Sequence, residues 1–177
     1  MATWNSRGLR GSTLEEVINI TNDKFRQSNL ALVTKIPTPI KPVKMDSMSH
    51  RITLAYFEEK STVDYVGVVQ GIPICFDAKN CESDTFAMSN LHEHQLKYML
   101  DFEKQGGVAF FLVYFAKRNV YYYLTLREAT YHVDGREEFK KHISFDEIDK
   151  DYIIPVEKNL YVNYLKILEK DVNYRGI

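Results

Sequence analysis

The sequence predicts an α/β domain, a mixed central sheet flanked by helices, and three features predict it. β-prone runs recur along the chain: ALVTKI (Ala31 to Ile36), DYVGVV (Asp64 to Val69), IPICFDAK (Ile72 to Lys79), VAFFLVYF (Val108 to Phe115) and VYYYLTL (Val120 to Leu126). Helical spacing interrupts them twice, near the N-terminus and again before Gly106-Gly107. The strand-turn-strand that follows the second helix completes a mixed sheet. At 177 residues the chain suits one domain and can bury roughly 70% of its unfolded surface.

Residues 1–11 are expected to form a flexible arm, with Arg7 and Arg10 beside glycines. Residues 12–177 are then a single domain. Ser12 fits a helix N-cap, and Glu15 three positions later completes a capping-box pattern. Leu14, Val17, Ile18 and Phe25 lie on one helical face, so a helix is predicted from about Thr13 to Gln27. Glu15 has two readings. It caps the helix, or it leans toward acids elsewhere in the fold.

The strand Ala31 to Ile36 is stopped by Pro37 and Pro39. From Ile40 to Arg51 there is no helical periodicity, and Pro42 adds rigidity. An excursion of this length between strands is more often functional than idle. Ile52 to Phe57 returns to strand-like composition and is expected to lead into a central hairpin, STVDYVGVVQGIPICFDAK (Ser61 to Lys79), turned at Gln70-Gly71. Residues two apart in a strand share a face, so Asp77 and Lys79 project side by side, roughly 7 Å apart at about 3.3 Å per residue. Phe76 and Ala78 turn to the opposite, buried face. Asp64 opens the first strand. By itself Asp-x-Lys also fits a solvated strand end.

Asn80 to Phe86 reads as a loop. A second helix is capped at Ser89 or Asn90 and reaches Gln105, where Gly106-Gly107 stops it. His92 and His94 are two apart and do not share a helix face as a zinc pair would. They read as first-turn decoration, whereas Gln95 can face the hairpin's carboxylates. Asn119 turns the last two strands, and GREEFKKHI, the segment from Ser144 to Glu147, and LYVNYLKILEK suggest short terminal helices.

Net charge is −1, yet Lys24 to Arg51 carries six cations (Lys24, Arg26, Lys35, Lys41, Lys44, Arg51) against Asp46 alone. This stretch is either a binding face or a solvated basic loop. The longest apolar run, Val108 to Ala116, is far below the ~20 residues of a membrane helix. No signal peptide is visible. Cys75 and Cys81 fit neither a zinc set nor a disulfide framework, and a reducing cytoplasm is expected. There is no Gly-rich phosphate loop and no Ser/His/Asp spacing.

Asp64 and Asp77 brought close together would repel without a cation, so the pair makes sense as a metal site. Hard divalent ions on oxygen ligands suit phosphodiester hydrolysis, because they acidify water and offset charge developing on phosphorus. Lys79 can orient water or stabilise that charge.

An acid leading a hairpin, followed by an acid and a lysine at i and i+2, resembles the PD-(D/E)XK nucleases. Further pieces make the likeness specific: Arg7-Gly8, LEEVINITN (Leu14 to Asn22), KIPTPI (Lys35 to Ile40), AYF (Ala55 to Phe57), STVDYVGV (Ser61 to Val68), FDAK (Phe76 to Lys79), LHEHQ (Leu91 to Gln95) and QGG (Gln105 to Gly107). In this order they resemble the RecU family of Holliday junction resolvases, of restriction-endonuclease-like fold. The resemblance implies a magnesium-dependent endonuclease, with manganese as a substitute ion, that cuts four-way DNA junctions as a homodimer in recombination and repair. It places Thr62, Asp64, Asp77 and Gln95 as metal ligands and Lys79 as transition-state stabiliser; Glu15, read as leaning toward those acids, is a further catalytic candidate. Residues 40–54 correspond to a protruding stalk that a dimer inserts at the junction centre. Lys35, Lys41, Lys44 and Arg51, with Arg7 and Arg10, are the candidate DNA contacts. A recombinase and a branch-migration helicase are implied partners, in a nucleoid-associated cytoplasmic setting without membrane. Two departures stand out: Asp77 replaces the family's usual Glu, and the stalk is a few residues short. The alternative is a catalytically inactive junction-binding or recombinase-regulating protein of the same fold.

Overall fold

The computed structural model describes residues 7–57, 62–133, 141–157 and 162–176. Among the described residues, ten strands and four α-helices follow one another as α1 (Arg7–Gln27), β1 (Ala31–Lys35), β2 (Ile40–Asp46), β3 (Arg51–Phe57), β4 (Tyr65–Val69), β5 (Ile72–Cys81), β6 (Thr85–Ala87), α2 (Glu93–Lys104), β7 (Val108–Phe115), β8 (Val120–Thr125), α3 (Leu126–Val133), β9 (His142–Ser144), β10 (Ile153–Ile154) and α4 (Tyr164–Arg175). The central sheet has the order β1-β4-β5-β7-β8-β10. Among the described residues only β5 and β7 run parallel, joined through α2, and the other neighbours in this sheet are antiparallel. The mixed sheet flanked by helices is therefore the architecture found.

The β4–β5 turn is the two-residue hairpin expected at Gln70-Gly71, with φ of 47° and 91° at its two centres. That pair of positive φ values matches the right-handed twist of the strands it joins. The turn fixes the register: Val69 faces Ile72 and Tyr65 faces Phe76. Gly67 admits β1 close by, since a Cβ there would lie 2.3 Å from the Leu32 carbonyl oxygen.

Alternation along β5 then decides what lies on each face. Phe76 stacks on Tyr65 (4.7 Å) and Phe110 (4.8 Å), Phe110 stacks on Tyr123 (4.1 Å), and Tyr164 of α4 closes over Phe76 at 5.1 Å. All five rings are fully buried. This aromatic layer, which accounts for much of the chain's aromatic richness, is a rigid floor. Asp77 and Lys79 leave it for the opposite face, where α2 lies.

Several expected boundaries move. α1 begins at Arg7, so Ser12 sits inside the helix and the part of the arm from Arg7 onward is helical. Arg7 to Gly11 contains no proline to stop the helix, and its glycines cost it only about 1 kcal/mol each. β3 does not lead into the central sheet. It pairs only with β2, from Ile40 opposite Phe57 to Asp46 opposite Arg51, as a separate two-stranded ribbon that runs three residues past Leu54. β5 continues to Cys81 through the expected loop, because its parallel partner β7 pairs with it to the end. Short β6 pairs with β9, so His142 to Ser144 is strand and not helix. Residues 135–140 of the helix expected there lie outside the described residues. Phe145 to Glu147 is a turn. α3 is an element that the sequence pattern does not predict. The second helix starts at Glu93, with His92 at its N-cap, after a 3-10 turn over Met88–Asn90.

No helix of the structure is long and apolar enough to cross a membrane, among the described residues.

Candidate active site

The hairpin register carries one step further than the last ladder pair. Tyr65 faces Phe76, so Asp64, just before β4, comes level with Asp77. Its carboxylate Oδ2 accepts the Ala78 backbone N–H at 2.9 Å, which pins it against β5. Its main-chain carbonyl accepts the Ile36 N–H at 2.7 Å, tying the end of β1 to the same corner.

Asp77 is 1% exposed. Its Oδ1 accepts the Gln95 amide Nε2 at 2.6 Å. Lys79 Nζ lies 2.7 Å from Oδ2, and the same ammonium donates to Gln95 Oε1 at 3.0 Å. Asp77, Lys79 and Gln95 therefore form a closed triangle between β5 and the first turn of α2. Oδ2 itself receives no aligned hydrogen bond. The Lys79 ammonium at 2.7 Å is its charge partner.

Burial drives the Asp77 carboxyl upward, and the neighbouring Asp64 carboxylate raises it further. Lys79 opposes both, and the balance leaves it at about 7. Among the described residues no three His, Cys, Asp or Glu side chains gather into a metal cluster. The convergence is of two carboxylates, one amide and one ammonium.

The other expected site residues are distributed around this centre. Thr62 is exposed, two residues before Asp64 on the approach to β4. Glu15 lies on α1 with its carboxylate 2.6 Å from Lys35 Nζ, and its contacts do not include Asp64, Asp77, Lys79 or Gln95. Tyr65 separates it from Asp64: the buried phenol donates to Asn19 Oδ1 at 3.1 Å and reaches the Glu15 carbonyl at 3.4 Å. Both carboxylates raise that phenol, which burial already raises most. Lys35 is thus partly committed to an ion pair. Lys41, Lys44 and Arg51 are all exposed on the ribbon. Arg7 and Arg10 lie in the first turns of α1.

One participant escapes a sequence reading. The Ala78 amide that holds Asp64 carries no side-chain signal, although a two-residue turn at Gln70-Gly71 already sets 64 opposite 77. His92 and His94 do not lie apart on the helix as expected. His92 precedes it in an extended conformation (φ −80°, ψ 137°), which lets the rings stack at 5.5 Å.

A family profile described as RecU, Recombination protein U, matches residues 9–170 of the chain. A protein of Leuconostoc mesenteroides named Holliday junction resolvase RecU is 40% identical over 171 residues, covering 92% of this chain and 82% of that one. The protein of the same name from Pediococcus pentosaceus is 37% identical over 169 residues, covering 92% and 84%. Among solved structures, the Hjc Holliday junction resolvase of Archaeoglobus fulgidus aligns with a TM-score of 0.42 at 10% identity, covering 67% of this chain and 74% of that one.

Proposed function

The chain belongs to the RecU (Recombination protein U) family, and from that premise we propose that it is a magnesium-dependent, structure-selective endonuclease cutting four-way (Holliday) DNA junctions as a homodimer. Manganese substitutes for magnesium in this reading, and a recombinase and a branch-migration helicase are its working partners. A symmetric junction needs two opposed cuts, which two symmetry-related sites supply.

The observation that carries the reading is the convergence of Asp64 and Asp77, with an Asp77 Oδ2 that is buried and lacks an aligned donor. Hard oxygen donors with an unsatisfied buried lone pair fit a small divalent cation. Asp64 and Asp77 would hold it, with the Gln95 amide oxygen and Thr62 as additional oxygen donors. A cation bound there would lower the pKa of water and offset charge on the phosphorus. Lys79, held in place by Gln95, places an ammonium where charge accumulates on the phosphoryl oxygens. Asp77 is one methylene shorter than the usual Glu, and it still meets Gln95 of α2 at 2.6 Å.

The test is one gel: a labelled four-way junction and a linear duplex of the same arms, each with magnesium or with EDTA. Paired cuts confined to the junction in magnesium are expected. Junction binding without cuts in either magnesium or manganese would replace the nuclease by a catalytically inactive junction-binding protein.

Gln95→Ala is expected to raise the magnesium concentration needed for half-maximal cleavage by roughly 10–100-fold, a larger effect than its cost to folding. A titration curve with the wild-type midpoint and plateau would reduce Gln95 to packing.

The ribbon supplies the junction contact in this reading. Every residue of β2 and β3 is exposed, so neither strand is retained for a core. Each phosphate contact contributes about 0.9 to the slope of log affinity against log salt. Replacing Lys41, Lys44 and Arg51 together by Gln is expected to flatten that slope by up to roughly 3 units on junction DNA, with a much smaller loss on duplex. Equal losses on both DNAs would make the ribbon a general basic patch.

A further inference from the structure

The aromatic layer does not fill its face of the sheet to the end. Alternation along β5 carries the Phe76 face on to Ala78 and Asn80. Asn80 is level with Tyr114 of β7, and Tyr114 with Tyr121 of β8, so the three form one row across the sheet. Between that row and Leu14 and Val17 of α1 lies a cavity of about 200 Å³. Its walls are flat and largely apolar. The Tyr114 and Tyr121 rings stack at 4.6 Å, and the Tyr114 hydroxyl donates to Asn119 Oδ1 at 2.9 Å, which leaves the ring itself as wall. Asn80 adds an amide. Its Nδ2 donates to Glu82 Oε1 at 2.7 Å, while its Oδ1 is buried with no hydrogen-bond partner. A buried acceptor without a donor is destabilising, and a ligand that brings the donor recovers that loss.

The position of the cavity decides which part of a substrate reaches it. The β4–β5 ladder ends at the Tyr65–Phe76 pair, whereas β5 stays paired with β7 as far as Cys81. Residues 77–81 are therefore unladdered on the β4 side, and both Lys79 and Asn80 lie on that open stretch. They are about 3.3 Å apart along the strand and on opposite faces of the sheet. One nucleotide step along a DNA strand is of the same size, about 3.4 Å. A strand whose phosphate meets Lys79 thus brings a neighbouring base to the Asn80 side. A base suits the cavity chemically: its π faces match the aromatic and aliphatic walls, and its edge carries donors. Adenine, cytosine and guanine offer an exocyclic amino group to an acceptor such as Asn80 Oδ1, and thymine does not.

We infer that the cavity between α1 and the Asn80–Tyr114–Tyr121 row takes up one unstacked base of the strand being cut, within about two nucleotides of the scissile phosphate, and selects for an exocyclic amino group through Asn80 Oδ1. The inference rests on the junction reading given above and adds to it a source of sequence preference. Adjacent residues of β5 then serve the two parts of one nucleic-acid strand, Lys79 the phosphate and Asn80 the base.

The experiment uses the full chain and immobile four-way junctions that differ at a single nucleotide, placed in turn at the two positions on each side of the cut. That nucleotide is adenine or purine, which is adenine without its amino group. Affinity is measured in EDTA and cleavage in magnesium. At one of the four positions the wild-type protein is expected to bind and cut the adenine junction about tenfold better than the purine junction. Asn80→Leu, of similar size but without the acceptor, is expected to treat the two junctions alike. Val17→Phe fills the cavity from the helix side with Asn80 intact, and it is expected to erase the preference as well, so the site stays testable should the first variant fail to fold. The readout is the adenine-to-purine ratio, which a general loss of activity does not move. A wild-type ratio near one at all four positions, or a ratio that survives either variant, overturns the base pocket and leaves the nuclease reading intact. A wild-type protein that neither binds nor cuts any of the junctions overturns both.

Discussion

Asp77→Ala is expected to lower junction cleavage by about 10³-fold or more, with junction affinity in EDTA unchanged within about threefold. The substitution removes the buried carboxylate that Lys79 and Gln95 both engage, so it empties the centre of the triangle at 2.6 and 2.7 Å. It removes no exposed cation and touches neither strand of the ribbon, which is why binding survives. The fold survives as well, because the aromatic floor from Tyr65 to Tyr123 lies on the other face of the sheet. Asp77→Glu, which restores the usual family residue, is expected to keep activity. Cleavage by Asp77→Ala at the wild-type rate in magnesium would mean the chemistry lies elsewhere. An inactive Asp77→Glu would mean that Gln95 and α2 have closed around the shorter side chain.

The part of this site that was legible in the sequence is the part that local geometry dictates. Strand alternation puts Asp77 and Lys79 on one face and Phe76 on the other, and a two-residue turn leaves no freedom in register, so Asp64 had to come level with Asp77. Gln95 opposite the hairpin followed from the helix returning over its parallel strand. What was not legible depends on side-chain reach or on distant pairing. Nothing local says that the Gln95 amide bridges Asp77 and Lys79, or that Lys35 engages Glu15 twenty residues away. β6 and β9 are three residues each and meet across more than fifty positions, too short to show a period. The strand character of Ile52 to Phe57 was plain, but its partner was not, since a fully exposed ribbon lacks the inside–outside alternation that assigns a strand to a core.

The metal-free protein is expected to lose stability as pH rises from 5 to 8, and magnesium is expected to return it. Burial, with Asp64 adding to it, lifts the folded-state Asp77 carboxyl from 3.8 to about 7. An acid whose folded value is raised contributes stability fully present below its unfolded value, and that contribution is lost as pH climbs through the folded one. A shift of this size corresponds to something on the order of 4 kcal/mol across the window from about pH 4 to about pH 7. Glu128, raised by its own burial, works in the same direction, so the control is Asp77→Asn, which keeps the shape and removes the titration. Its urea midpoint should depend less on pH than the wild type's between pH 5 and pH 8. A cation needs the ionised carboxylate, so at pH 5.5 it competes with a proton and binds more weakly than at pH 8. The magnesium-induced rise in unfolding temperature should therefore be large at pH 8, small at pH 5.5 and absent from Asp77→Asn at both. Identical pH slopes for wild type and Asp77→Asn would show that Asp77 does not titrate in this window. A magnesium response that persists in Asp77→Asn would move the cation away from the hairpin altogether.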